Sequence, residues 1–452
     1  MTEQTLPLTW GQAAMVQMFH RRGLDPAHWP LSAVFMQPEE AVSREEALAA
    51  LNALVARHDV LTARFDAVPG TIDLADAASY PRQHLRTGTV IPPLTLSLGS
   101  TDAELDGEQL LALVRGEFLR RGDAFLPVLL DRGGRWGAGA VVSHVAVDGQ
   151  GLDLLDREWD VLVRGEQPRQ PGMSVQEIVE IEAGDDLRDI EQRDLQLLGE
   201  ALRAADTLNL RQDPPKGPAV YGVVESAAHG RAMAQLQQKL RIPRPGIALI
   251  VFAILLSADL GQPHVLVRSM FRRSSRRPRT VSAVASSPFA LVRVEVDKAM
   301  SVHDLVHREY RSTLGAYGHA ECSPWGTERV NREVAAERGL AALDGLPEFN
   351  YLTAGRRARD LDSATVERSW VEFVAGVRPF SRGNLSIFEH ADHDSVELFG
   401  NRWRSAGDSF TMVHRFDRFC AIAANDSTRT VADVLERAEE AVRITPVRPR
   451  TG

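Results

Sequence analysis

The sequence predicts a mixed α/β (α+β) fold built as two lobes, each a mixed sheet with helices. Three observations carry this. The chain has 452 residues, more than one hydrophobic core usually organises. Helix-period and strand-period segments alternate through both halves. A proline-rich stretch, RQDPPKGP at 211–218, closes a region of altered composition between them.

The elements follow in order. SREEALAALNALVARHD (43–59) reads as an amphipathic helix, with Ser43 as its cap and Glu46 completing a capping box. VLTARFD (60–66) reads as a strand, GEQLLALVRGEFLRRG (107–122) as a helix and FLPVLLD (125–131) as a strand. A Gly-Gly turn at 133–134 leads into RWGAGAVVSH (135–144), a strand buried on both faces, and Gly151 to Val163 returns to helix. An acidic helical stretch runs from Val175 to Leu208. Strands follow at 219–226, 263–270, 288–297, 348–355, 384–390 and 395–400. Helices fall at 230–241, 246–260, 301–317 and 430–444. The expected boundaries are therefore an N-terminal lobe at 1–172, a linker or hinge at 173–218 and a C-terminal lobe at 219–452.

Composition narrows the function. A net charge of −9 argues against nucleic acid as the main partner. Cys322 and Cys420 stand far apart, which excludes a zinc spacing or a disulfide framework. MTEQTLPLTW has no basic region followed by an apolar run, so it does not read as a signal peptide. The longest apolar run, GIALIVFAILL (246–256), is too short to span a bilayer and reads as a core helix. A soluble, cytoplasmic monomer that engages no membrane is the expectation.

The sequence contains no G-x-S-x-G elbow, P-loop, H-E-x-x-H or strand-bound G-x-G-x-x-G. EHADHD (389–394) has the residue types of a metal site, but it lies between two strand-like runs where a polar hairpin turn is expected. No metal is expected there. RSMFRRSSRRPR (268–279) fits either a solvated loop or a contact to phosphates. VVSHVAVDGQG (141–151) is the strongest candidate for chemistry. A buried strand delivers His144 to a rigid edge, and Asp148 and Gly149 turn the chain into a helix. A carboxylate is favoured at that helix N-terminus and can orient an imidazole, leaving a ring nitrogen as a base. The same pattern fits a core histidine beside a helix cap.

A resemblance decides between these. Five segments stand in the order of the condensation domains of non-ribosomal peptide synthetases, within the chloramphenicol acetyltransferase-like superfamily. LPLTWGQ (6–12) is similar to the opening motif, and RHDVLTARF (57–65) resembles R-H-E-x-L-R-T-x-F. SHVAVDG (143–149) corresponds to H-H-x-x-x-D-G, AYGHAECSPW (316–325) resembles the H-Q-D-x-P-F segment, and PEFNYL (347–352) the F-N-Y motif. The match runs over nearly the whole chain.

The resemblance implies two lobes in a V shape with an active-site tunnel between them. It implies transfer of an acyl group, carried as a thioester on a carrier protein's phosphopantetheine arm, to an amine or less often a hydroxyl of a small molecule. Coenzyme A is an alternative donor, and no metal or tightly bound cofactor is implied. His144 would take the nucleophile's proton or position the nucleophile. Asp148 would be structural and paired with an arginine, Arg268 or Arg64. Gly149 would keep the backbone close to substrate, its amide near the oxyanion. Ser143 replaces the first histidine of the signature, a changed hydrogen bond beside the site. Arg272, Arg273 and Arg276 would meet the donor's phosphates. ESAAHGR (225–231) is only a faint echo of the epimerisation segment E-G-H-G-R. With the chain running to Gly452, a free-standing enzyme of natural-product biosynthesis is expected. The alternatives are a non-catalytic module that docks carrier proteins or recruits another enzyme, and a coenzyme A-dependent O-acyltransferase.

Overall fold

The computed structural model describes residues 2–21, 31–36, 42–67, 71–98, 107–168, 173–205, 219–271, 283–285, 289–340, 343, 346–353, 367–374, 383–390, 393–400 and 406–443. The strands are β1 (Thr2–Pro7), β2 (Leu31–Met36), β3 (Ala63–Phe65), β4 (Arg82–Thr87), β5 (Leu94–Ser97), β6 (Phe125–Arg132), β7 (Arg135–Ser143), β8 (Ala219–Ser226), β9 (His264–Met270), β10 (Phe289–Glu295), β11 (Glu348–Thr353), β12 (Glu367–Val374), β13 (Asn384–Glu389) and β14 (Asp394–Gly400). The helices are α1 (Trp10–Arg21), α2 (Arg44–Arg57), α3 (Gly107–Arg121), α4 (Gly149–Val163), α5 (Val175–Ala183), α6 (Asp185–Ala204), α7 (Ala227–Leu240), α8 (Arg244–Leu260), α9 (Val302–Gly318), α10 (Pro324–Glu337), α11 (Ala406–Asn425) and α12 (Val431–Arg443).

The chain divides into two compact units. The first comprises Met1–Ile190, Arg272–Ser287 and Ser323–Trp325, and the second Glu191–Phe271, Pro288–Cys322 and Gly326–Gly452.

In the first unit β6 and β7 form the centre of a sheet ordered β2-β7-β6-β5, antiparallel except for the β5–β6 pair. The Gly133-Gly134 turn joining β6 to β7 takes positive φ at both positions, which a tight hairpin needs and glycine supplies without strain. Both faces of this sheet are covered. Leu51 and Leu54 of α2 and Leu155 and Trp159 of α4 pack with Phe125, Leu129, Ala140 and Val142 on one face. Leu110, Val114 and Phe118 of α3 pack with Leu126, Val128, Leu130 and Val141 on the other. Burial on both sides explains the unbroken apolar run that precedes His144. A second sheet, ordered β1-β4-β3, is antiparallel throughout.

The second unit is built on a sheet ordered β10-β9-β11-β13-β14-β8-β12, in which β11 lies parallel to both neighbours and the other pairs are antiparallel. Its core is α8, buried at every position from Gly246 to Ser257, packed among α7, α9, α11, α12 and the sheet. Among the described residues no single helix is long and apolar enough to cross a membrane.

The Ser43–Glu46 capping box forms as expected on α2. VLTARFD is a strand only at Ala63–Phe65, because Asp59–Thr62 winds into a 3-10 turn closed by Thr62 Oγ1 donating to the Asp59 carbonyl at 2.7 Å. The helical stretch from Val175 breaks at Gly184, which caps α5 through its N–H to the Ile181 carbonyl at 3.2 Å. The expected linker, 173–218, holds both α5 and α6 in its described part. The reason is that its apolar positions find cores: Val175 and Ile178 in the first unit, Leu202 in the second. EHADHD falls where β13 passes to β14: Glu389 pairs with Asp394, and the His390 N–H donates to the His393 carbonyl at 3.0 Å, while residues 391 and 392 lie outside the described residues.

Candidate active site

Four of the predicted residues come together at the end of β7. Ser143 ends the strand; its N–H donates to the Ala124 carbonyl at 2.8 Å, fixing it to the chain entering β6. Its carbonyl then accepts from both Ala146 and Val147, at 2.9 and 3.1 Å, so residues 143–147 form one tight turn. The Ser143 hydroxyl accepts from the Val145 N–H at 3.3 Å. Ser143 is thus used by the turn itself.

His144 stands on this turn, half-buried. Its Nδ1 lies 3.1 Å from the Val147 carbonyl oxygen. A carbonyl only accepts, so in the neutral ring Nδ1 carries the proton and the lone pair resides on Nε2. The ring stacks on Phe19 of α1, centroids 6.3 Å apart and 29° between planes. One hydrogen bond and one aromatic face therefore fix both tautomer and plane.

Asp148 is the N-cap of α4: buried, with an extended backbone and Oδ1 accepting from the Gly151 N–H at 2.9 Å. A capping carboxylate satisfies an amide that the helix itself leaves unbonded and favours the positive end of its dipole. Gly149 is the first residue of α4, two positions before the expected helix start at Gly151. One turn on, burial raises the Asp153 carboxyl against the Arg157 charge, with the Asp148 charge adding to the rise.

The second glycine in VVSHVAVDGQG is closely packed. A Cβ on Gly151 would stand 2.4 Å from the Ala283 carbonyl oxygen and 2.6 Å from Val147 Cγ1. The same segment donates from the Ala285 N–H to the Ala146 carbonyl at 2.9 Å. Residues 283–285 therefore lie directly on the His144 turn, and Gly151 makes the room. The sequence signal was the glycine itself; its neighbour came from 132 positions downstream.

The other motifs act on these elements. In LPLTWGQ, Thr9 and Gln12 bond reciprocally at the start of α1, Thr9 N–H to Oε1 at 2.9 Å and Gln12 N–H to Oγ1 at 3.3 Å. The Gln12 and Gln83 amides donate to each other at 3.0 and 2.8 Å, tying α1 to β4. This is the helix that brings Phe19 to His144. In RHDVLTARF, Arg57 and His58 both reach Glu158 on α4. Asp59 accepts from the Val175 N–H at the start of α5, at 3.1 and 3.0 Å; burial raises its carboxyl, opposed by that bond.

Arg64, expected beside Asp148, is elsewhere. Its Nε donates to Asp123 Oδ1 at 2.7 Å and an Nη to the Arg121 carbonyl at 3.3 Å, because β3 runs along β4 and Arg86 reaches the same carboxylate. Arg268 lies on β9 of the second unit, 3.6 Å from Glu348 and over the Phe289 ring at 5.1 Å. Arg272, Arg273 and Arg276 lie outside the described residues.

In the second unit His319 and Glu321 of AYGHAECSPW meet Asp194 of α6: the Glu321 N–H donates at 3.1 Å and His319 Nδ1 lies at 3.4 Å. In PEFNYL, the Tyr351 hydroxyl donates to Glu389 at 3.0 Å, and burial with the nearby Asp394 and Glu389 charges pushes its pKa up. Among the described residues no group of three or more His, Cys, Asp or Glu is placed to hold a metal.

Neither a protein-family model nor a curated protein matches the sequence. Solved structures do. A mutant starter condensation domain of rhizomide synthetase RzmA in complex with C8-CoA is similar at TM-score 0.68 and 16% identity, over 95% of this chain and 97% of that one. The first condensation domain of the calcium-dependent antibiotic synthetase with a substrate analogue is similar at 0.66 and 17%, over 95% and 99%. A structure described as the basis for condensation domain-mediated chain release from the enacyloxin polyketide synthase is similar at 0.64 and 15%, over 97% and 84%.

Proposed function

From a chain with the condensation-domain fold, we propose an acyltransferase that joins a thioester-borne acyl group to an amine or hydroxyl in natural-product biosynthesis. The observation that carries the proposal is the single tautomer of His144, set by the Val147 carbonyl on a turn rigidly held between β7 and α4. In this reading Nε2 accepts the proton of the attacking N–H or O–H as the new bond to the thioester carbonyl forms. Collapse of the tetrahedral adduct breaks the carbon–sulfur bond, and the imidazolium returns its proton to the departing thiolate. The positive end of α4, beginning at Gly149, supports negative charge on the adduct's oxygen. Asp148 serves by holding that helix start rather than by proton transfer. The chemistry asks chiefly that thioester and nucleophile be held together.

A phosphopantetheine arm on a carrier protein, or coenzyme A, is the donor class proposed; the complex of the RzmA domain with C8-CoA supports it by likeness. An amide is the favoured product.

The test is acyl transfer from carrier-bound and pantetheine thioesters to mixed amines and alcohols, followed by product mass, with wild type beside His144→Ala. The proposal expects product from wild type and a fall of at least about a hundredfold in the variant. Equal rates remove His144 from the mechanism. Carrier-protein binding without any product replaces the enzyme with a docking module.

A further inference from the structure

Two histidines remote in function from the His144 turn share one face of α9. His303 and His307 are one helical turn apart, and their ring centroids lie 4.6 Å from each other at 47°. Such i, i+4 pairs are the spacing at which a helix presents two side chains to one point.

The His303 ring has its proton held on the side of the protein. His303 Nδ1 is 3.0 Å from Asp304 Oδ1, and a carboxylate accepts, so Nδ1 carries the hydrogen and Nε2 the lone pair. Asp304 is itself fixed by the helix cap: Ser301 donates its hydroxyl to Oδ2 at 2.8 Å and accepts from the Asp304 N–H at 3.0 Å. His307 stands on the same face, half-buried. A ring nitrogen bonded to a carboxylate or a backbone carbonyl is the arrangement that orients a metal-ligating histidine and fixes its tautomer.

From this geometry we infer that His303 and His307 form a surface site for a first-row divalent metal ion of the zinc, nickel and copper class. Two imidazole nitrogens provide the protein ligands and water completes the coordination. The choice of class follows from imidazole donors, which suit those ions and not the oxygen-seeking calcium and magnesium. The local charges are compatible. Asp304 is negative, and the opposing Arg311 has its Nε on the His307 carbonyl at 3.3 Å. The site lies on a second-unit helix and needs no part of the proposed acyl transfer.

The test is calorimetric titration of the full chain with nickel chloride and, separately, zinc chloride in a non-chelating buffer. His303→Ala, His307→Gln and Asp304→Asn are titrated alongside, each first shown by circular dichroism to keep the wild-type melting temperature without metal. The expected result is one saturable event in wild type, weakened at least about tenfold by each histidine variant. Asp304→Asn should weaken it by about tenfold through its effect on His303 alone. No binding up to about 1 mM metal, identical isotherms in wild type and both histidine variants, or an equal response to calcium would each overturn the site.

Discussion

Arg57 holds Glu158 with two parallel hydrogen bonds, Nε to Oε2 at 2.8 Å and Nη2 to Oε1 at 2.9 Å, and His58 Nε2 meets the same Oε2 at 2.7 Å. These contacts join the last turn of α2 to the third turn of α4, whose first turn is capped by Asp148. The Arg-His pair in the RHDVLTARF motif is therefore a positioning device for the helix behind the His144 turn.

Removing the carboxylate should be costly, because it strands the Arg57 and His58 donors in a buried place. Glu158→Ala is expected to lower unfolding free energy by about 3 kcal/mol. Urea denaturation measures it, and a loss under about 1 kcal/mol would mean that α4 is held mainly by its apolar face.

The pH dependence has a definite sign. Burial pushes the Glu158 carboxyl up, but the hydrogen bonds from His58 and Arg57 outweigh it and leave the pKa lowered. A group depressed in the folded state stabilises fully above its unfolded value, about 4.3 for Glu, and loses that contribution as pH falls toward the folded value. The stability gap between wild type and Glu158→Gln should thus be flat from about pH 7 to 5 and shrink below that range. A gap that widened on acidification would contradict the assignment.

Gly151 and Gly116 offer a paired test of crowding. Gly116→Ala on α3 meets nothing within 4 Å and should stabilise by about 0.5–1 kcal/mol, through helix propensity and reduced unfolded-state entropy. Gly151→Ala, facing Ala283 and Val147, should destabilise by about 1–3 kcal/mol and slow transfer by displacing the 283–285 segment. Thermal melts of both, with rates for the second, decide it; like shifts in the two would remove the close approach.

Asp148→Ala deletes a buried cap. It should cost about 1–2 kcal/mol of stability and reduce transfer more than tenfold, because the turn that orients His144 runs directly into the capped helix start. Full activity in a folded variant would separate the cap from the chemistry.

Arg64 should matter little. It is half-exposed, and Arg86 remains on Asp123 when it is removed. Arg64→Ala is expected to keep transfer within about twofold and stability within about 1 kcal/mol. A large loss of rate would return Arg64 to the site.

Local chemistry is what the chain spells out. The Ser43–Glu46 box, the Gly133-Gly134 hairpin turn, the run of β7 into His144 and the Asp148 cap all depend on groups within a few residues of one another. Spacing and residue type alone suffice for these. The order of five motifs was likewise readable, and the likeness to solved condensation domains bears out the fold they suggested. The tertiary structure decided what each motif touches. Arg57 finds Glu158 a hundred positions away, Arg64 finds Asp123, Phe19 finds His144, and Ala283 settles on Gly151. Even the β11 register depends on β9 and β13, which lie far from it in sequence. Contacts of that kind arise from how whole sheets and helices pack, and no periodicity within one segment encodes its distant partner.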